Sequence, residues 1–308
     1  MTSIKEQLRN EPNYIPVKKS KKKIIGSIIY YIVGITLSLL FIFPLLYMVS
    51  ASTKTPEADA FSAGTIMMFL PDFSNITHIF DNYAVIFGEY GVWKYALNSF
   101  AYAAIVIVFN IIVNGLAGYV LAKFDFPGKG FFNFIILFLI VVPVETSIIP
   151  LYSIAKQILG LKGNLSVLAV VLPSIISVFN IFLFTQFFSS IPKEYEEAMH
   201  IDGASRLRVF FDLILPTSKP IVATTAVFTF IGVWNDYIWP SMVLPNAGDD
   251  SWPLLPIQAA LNSIRSIENI TNGEIMASLV VTSIPIFVLY AAAQKYIVKG
   301  FGTAGLKM

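Results

Sequence analysis

Residues Ile191 to Pro220 read IPKEYEEAMHIDGASRLRVFFDLILPTSKP, a charged island between long apolar segments. It opens after Pro192 and closes at Pro216. Proline suits a helix boundary better than a helix interior, because it lacks the N–H and its ring clashes with the preceding turn. Gly203 divides the island. Before the glycine, Tyr195, Ala198 and Met199 recur at i, i+3, i+4, one apolar face of a short helix with Glu194, Glu196 and Glu197 around it. After it, Leu207, Phe210, Phe211 and Ile214 recur at i, i+3, i+4, i+7. That spacing predicts a second amphipathic helix, with Ser205 in place to cap it. A helix, a glycine turn and a helix inside a loop between membrane spans present one face to the bundle and another to the aqueous phase. A helix-turn-helix could also read DNA, but this unit begins and ends within a few residues of apolar spans. A generic connecting loop with an amphipathic surface helix stays open on these residues alone.

The composition agrees with a membrane setting. Of 308 residues, 56% are hydrophobic and only 13% charged, too apolar for an ordinary soluble domain. Cysteine is absent, which excludes disulfides and thiolate metal sites, and the histidines are His78 and His200 alone, so no histidine-rich metal site is expected. The prediction is an all-α membrane protein with six spans, at about 24–50, 93–122, 131–150, 165–188, 221–243 and 275–297. Each has roughly the 20 residues that a bilayer needs. A polar tail, 1–23, precedes them and a short tail, 299–308, follows the membrane region 24–298; the island is 191–220. The first span is too long for a signal-peptide core and has no convincing cleavage site, so it is read as retained. With the N-terminus inside, inner segments hold sixteen Lys and Arg residues and outer segments five. That asymmetry places both termini and the island in the cytoplasm.

Chemistry is sparse. No phosphate-binding loop exists: Phe126-Pro127-Gly128-Lys129-Gly130 is a turn, with no glycine five residues ahead of Gly128. No catalytic residue and no metal ligand set stands out, so an ATP-driven function needs a separate ATPase. The notable polar group in a span is Trp234-Asn235-Asp236-Tyr237, in the fifth. A carboxylate at membrane depth is costly and usually faces the bundle interior or a wet cavity. It either lines a path for a polar solute, with Trp234 and Tyr237 as stacking surfaces, or makes an interhelical hydrogen bond. Asn110 and Asn114, at i, i+4 in the second span, are candidates for the same path.

The island resembles the EAA loop of membrane subunits of binding-protein-dependent ABC importers. The matching residues are Glu197-Ala198-Met199, Asp202-Gly203-Ala204, Leu213 and Leu215-Pro216, with Met199 where the pattern has a second alanine. Beyond the island, Asn98-Ser99, Gly118-Tyr119, Pro143, Pro150-Leu151-Tyr152, Trp234-Asn235-Asp236 and Gln294-Lys295-Tyr296 look like the sugar-importer branch, the maltose-type permeases. So does the tail Gly300-Phe301-Gly302-Thr303-Ala304-Gly305, which departs at Phe301-Gly302. The resemblance implies a non-enzymatic permease subunit in a bacterial plasma or inner membrane that forms half of the pore for a carbohydrate, an oligosaccharide by preference. It implies a sister permease, a cytoplasmic ATPase dimer carrying ATP and magnesium, and an extracellular solute-binding lipoprotein or periplasmic protein. No cofactor is expected on this chain and no nucleic acid. Tyr195, Glu197, Ala198, Met199, Asp202 and Gly203 are the implied ATPase contact. Asp249, Asp250 and Trp252, in the loop 244–273, are the implied contact with the binding protein; an aromatic at the bilayer interface is the other reading of Trp252. An ion-coupled carrier working alone is the rival. It needs placed intramembrane carboxylates, for which only Asp236 qualifies.

Overall fold

The computed structural model describes residues 21–73, 76–245 and 253–304, and all regular structure among them is helical. Helix α1 (Lys21–Ala51) is apolar on every side and exposed from Ile25 to Leu46. Such a surface suits lipid or another apolar helix. Its last residues enter the bundle, where Ser50 Oγ donates to Leu70 O (2.6 Å). Short helices α2 (Pro56–Ser62) and α3 (Asp81–Gly88) follow. They enclose Lys54, whose Nζ donates to Ser62 Oγ and Met67 O, both at 2.9 Å. Burial pulls the Lys54 ammonium below its ordinary pKa, opposed by the Asp59 and Asp72 carboxylates.

Helix α4 (Val92–Lys123) is the axis of the bundle and has no proline. Its buried face includes Ser99, Tyr102, Ala103, Val106, Asn110, Asn114, Gly118 and Leu121, at helical spacing, while Val108, Phe109, Val113 and Val120 face outward. Small and polar residues dominate that buried face. In a bilayer, where lipid is as apolar as leucine, close backbone approach and hydrogen bonds hold helices together. Three apolar clusters are strung along α4. One holds Val92 with Ile86, Trp234 and Ile257; one holds Tyr102 and Val106 with Ala169 and Trp239; one holds Tyr119 with Phe184, Phe188, Phe210 and Ile214.

The segments read as the third, fourth and fifth spans are each divided. Helix α5 (Lys129–Val141) stops because Pro143 drives Val142 to an extended ψ of 122°. The chain then turns by 98° into Val144–Ile158, which contains α6 (Ile148–Ser153). Helices α7 (Ser166–Ile175) and α8 (Val178–Ser189) are separated by extended residues Ile176 and Ser177. Pro173 in α7 cannot donate to Ala169 O, and that carbonyl instead accepts from Trp239 Nε1 at 2.9 Å.

Past the island helices α9 (Glu194–Ile201) and α10 (Arg206–Val209), helix α11 (Lys219–Asn235) ends at Asp236, and α12 (Ile238–Val243) resumes after Tyr237. Helices α13 (Ile257–Ile264) and α14 (Asn272–Ala304) complete the chain. Among the described residues four stretches are long and apolar enough to cross a membrane, or up to six if each bent pair is one span, so this is a multi-pass membrane protein.

Candidate functional site

The island is built from local rules. Helix α9 starts after Pro192 and carries Glu194, Glu196 and Glu197 in its first turn, where the helix dipole favours negative charge. It ends at Gly203, whose φ of +81° is the left-handed conformation that glycine reaches without a Cβ clash. Gly203 N–H donates to His200 O (3.0 Å) and Ala204 N–H to Met199 O (2.9 Å), the paired bonds of a Schellman termination. Ser205 Oγ then accepts from Arg208 N–H (3.3 Å) and starts α10 as expected. The chain widens into a π turn at Phe210–Ile214 and bends by 84° into α11.

That π turn changes which residues face inward. Val209, Phe210 and Ile214 are buried, whereas Leu207 (61% exposed) and Phe211 point outward. The expected face Leu207, Phe210, Phe211, Ile214 assumes 3.6 residues per turn, and a π turn breaks that register. The face expected on α9 is also divided. Tyr195 (59% exposed) and Ala198 face outward, but Met199 turns in against the Phe184–Phe210 cluster. Glu197, Asp202 and Gly203 are exposed, beside Ile201 at 86% and Leu207. The outer surface of the island is therefore an apolar strip flanked by carboxylates.

Its inner surface turns on a residue that the periodicity did not single out. Glu196 is buried at 8% exposure. One carboxylate oxygen, Oε1, forms an ion-pair contact with Lys123 Nζ at 2.8 Å, outside hydrogen-bonding angles; the other accepts from Tyr119 OH at 3.0 Å. Lys123 Nζ also donates to Ile191 O (2.5 Å), just ahead of α9. Nearby, the Arg206 guanidinium lies 4.5 Å from the Phe124 ring centroid. Glu196 sits three positions before Met199 on the same face, a signal available in the sequence only once the inward face is known.

The candidate path residues fall into two groups. Trp234 is fully buried; its Nε1 donates to Thr282 O (3.1 Å) and its ring stacks on Phe230 at 5.3 Å. Asn110 and Asn114 are fully buried as well. Both donate to Ile175 O at 2.8 Å, and Asn114 Oδ1 accepts from Ser177 N–H (3.1 Å). Asn180 Nδ2 donates to Asn110 Oδ1 (2.8 Å) and to Thr229 Oγ1 (3.0 Å). Trp234, Asn110 and Asn114 are thus engaged in hydrogen bonds between helices inside this chain. The two asparagines satisfy backbone groups that the α7–α8 break leaves open, and Trp234 ties α11 to α14. Asn235 and Tyr237 are exposed at the α11–α12 break, and the half-buried Asp236 carboxylate faces the Trp239 N–H. Asp249, Asp250 and Trp252 lie outside the described residues.

A family model described as Binding-protein-dependent transport system inner membrane component matches residues 114–302. The chain is 30% identical, over 86% of its length and 91% of the relative's, to the Arabinooligosaccharides transport system permease protein AraQ of Halalkalibacterium halodurans. It is 32% identical to the Diacetylchitobiose uptake system permease protein NgcG of Streptomyces coelicolor, over 84% of this chain and 82% of that one. Its fold is similar, with a TM-score of 0.73 at 24% identity, to a chain in the crystal structure of a bacterial ABC transporter involved in the import of the acidic polysaccharide alginate. That match covers 92% of this chain and 99% of the other.

Proposed function

The chain belongs to the family of binding-protein-dependent transport system inner membrane components, and on that premise we propose that it forms half of the pore of an ATP-driven carbohydrate importer. An oligosaccharide is the preferred cargo, in keeping with the arabinooligosaccharide and diacetylchitobiose relatives. The observation that carries the reading is the island: an exposed apolar strip around a Schellman glycine, with buried charge holding it to the bundle from behind. An ion-coupled carrier working alone has no task for such a surface.

In this reading the island is the EAA loop and seats in a cleft of a cytoplasmic ATPase dimer. Both termini face the cytoplasm of a bacterial cell, and a sister permease completes the pore. ATP and magnesium belong to the ATPase, and this chain does no covalent chemistry. ATP binding closes the ATPase, the island moves with it, and the pore exchanges inward for outward access. An extracellular binding protein then releases its sugar into the pore. The conformational change is paid for by differential binding of ATP to the two states.

Glu197 supplies the exposed charge of the docking face. Truncating or reversing one partner of a desolvated charge pair costs about 2–5 kcal/mol. Glu197→Lys is therefore expected to leave the protein in the membrane with its sister subunit while the co-purified ATPase and sugar uptake both fall. Full ATPase retention with normal uptake would remove the docking role.

Asn235, Asp236 and Tyr237 are proposed to line the path at the fifth-span break. Asp236→Asn, which keeps the acceptor facing Trp239 N–H, is expected to transport close to normally. Asp236→Leu leaves a polar partner unmatched at membrane depth, at about 1–3 kcal/mol, and uptake is expected to drop several-fold. Uptake by Asp236→Leu at the native rate would rule out both a path role and a structural role.

A further inference from the structure

We propose that residues 56–73 lie in the lipid interface at the end of α1, with Phe61, Ile66 and Met67 set among acyl chains and Lys54 as the internal tether that holds them there. This rests on the membrane class of the chain and not on the docking role of the island. The apolar run of α1 begins after Lys23, and Phe43 stands eighteen residues beyond Ile25. At 1.5 Å per residue that is about 27 Å, close to the roughly 30 Å of a hydrocarbon core. After α1 ends at Ala51 the chain does not leave the bilayer surface but folds back. The turn Ile66–Phe69 packs along α1, with the Phe69 ring centroid 4.2 Å from that of Phe43 and 6.4 Å from that of Tyr47. That contact places the turn at the boundary between acyl chains and headgroups.

At that depth two apolar side chains of the segment are almost bare, Phe61 at 89% exposure and Ile66 at 79%, and Met67 is exposed as well. The backbone behind them is closed. Met67 O accepts from Lys54 Nζ (2.9 Å) and Leu70 N–H (3.1 Å), and Leu70 O from Ser50 Oγ (2.6 Å). Ser62 O accepts from Thr65 N–H (3.2 Å) and Thr65 Oγ1 (2.8 Å). A turn in water leaves such carbonyls to solvent, whereas a turn in lipid has to satisfy them internally. Lys54 is buried, and its Nζ also donates to Ser62 Oγ (2.9 Å), so one ammonium joins the end of α2 to the turn. The other charges of residues 54–73 are Glu57, Asp59 and Asp72, all negative. With its one cation buried, the segment has nothing to attract anionic headgroups, and apolar insertion is what holds it. Lipid is also the surrounding that α1 requires. That helix is exposed on every side from Ile25 to Leu46, and a single protein neighbour covers only one side of a helix.

The chain has no cysteine, so single nitroxide labels can be introduced through Phe61→Cys and Ile66→Cys, with the exposed Glu268→Cys as a reference for water. The full-length protein, with the subunits that co-purify, is reconstituted in phosphatidylcholine vesicles. Collisions of each label with oxygen, which concentrates among acyl chains, are compared with those of a water-soluble nickel chelate. The expected result is an oxygen-to-nickel collision ratio at 61 and 66 several-fold above that at 268. Lys54→Met, which keeps the length of the side chain and loses its donors, should lower the ratio at 66 several-fold while the protein stays in the vesicle. A native ratio at 66 equal to that at 268 overturns the proposal, because the segment then lies in water. Low collision with both reagents overturns it too, because a protein surface then covers the segment. An unchanged ratio at 66 in Lys54→Met overturns the tether.

Discussion

Replacing Gly203 by valine should leave the chain in the membrane and remove most sugar uptake. Gly203 holds φ at +81°, with no heavy atom within 4 Å of an added Cβ. The cost is therefore conformational and not a clash. A left-handed residue with a Cβ costs roughly 1–2 kcal/mol, and a β-branched one sits at the unfavourable end. That energy corresponds to a factor of about 5–30 in the population of the native turn. The turn sets the angle between α9 and α10, and so the placement of the exposed Tyr195 and Ile201 relative to Leu207 on the surface proposed to dock. Uptake and ATPase retention should fall together, by up to that factor, with little loss of protein from the membrane. Native uptake by Gly203→Val would show that the turn does not position the docking surface.

Gly118→Val should act on the fold itself. A Cβ at Gly118 would lie 2.6 Å from Phe184 Cβ and 3.0 Å from Thr185 N. Neither atom is the movable end of a side chain, so α4 and α8 must separate. Overpacking of this kind costs about 1–3 kcal/mol. Separation here also strains Glu196–Lys123 on one side and the Asn110–Asn180 bond on the other. Thermal unfolding in detergent should give a graded series. Gly118→Val should have the lowest midpoint. Gly115→Ala should follow with a smaller loss, because its added Cβ meets the Phe210 ring at 3.2 Å and that ring can tilt. Gly232→Ala, with open space around it, should be neutral or slightly stabilised. A Gly118→Val midpoint equal to that of Gly232→Ala would show that the α4–α8 contact is not tight.

Much of the architecture was legible beforehand. The apolar stretches and the helix–glycine–helix form of the island follow from run length, from prolines and from Gly203. Each is a property of a few neighbouring residues. The breaks near Pro143 and Pro173 carried a signal in the proline itself. The break at Asp236 and Tyr237 carried a weaker one, a polar trio inside an apolar run. The π turn at Phe210–Ile214 carried none, and Phe211 within it faces outward, as does Leu207 ahead of it.

The site divided in the same way. Glu197, Asp202 and Gly203 are exposed. Met199, Trp234, Asn110 and Asn114 turned inward. Helical periodicity tells which residues share a face, and in a chain this apolar it cannot tell which face the protein covers and which it leaves to lipid, a pore or a partner. By itself the sequence determined the membrane class, the helical elements and the place of the island between two spans, because apolar run length, glycine and proline act locally. Only the tertiary structure decided that Glu196, and not its neighbour Glu197, is the buried acid. That choice depends on Lys123 and Tyr119 arriving from another span, where a charge taken out of water is stable only against a partner that the fold has brought to it.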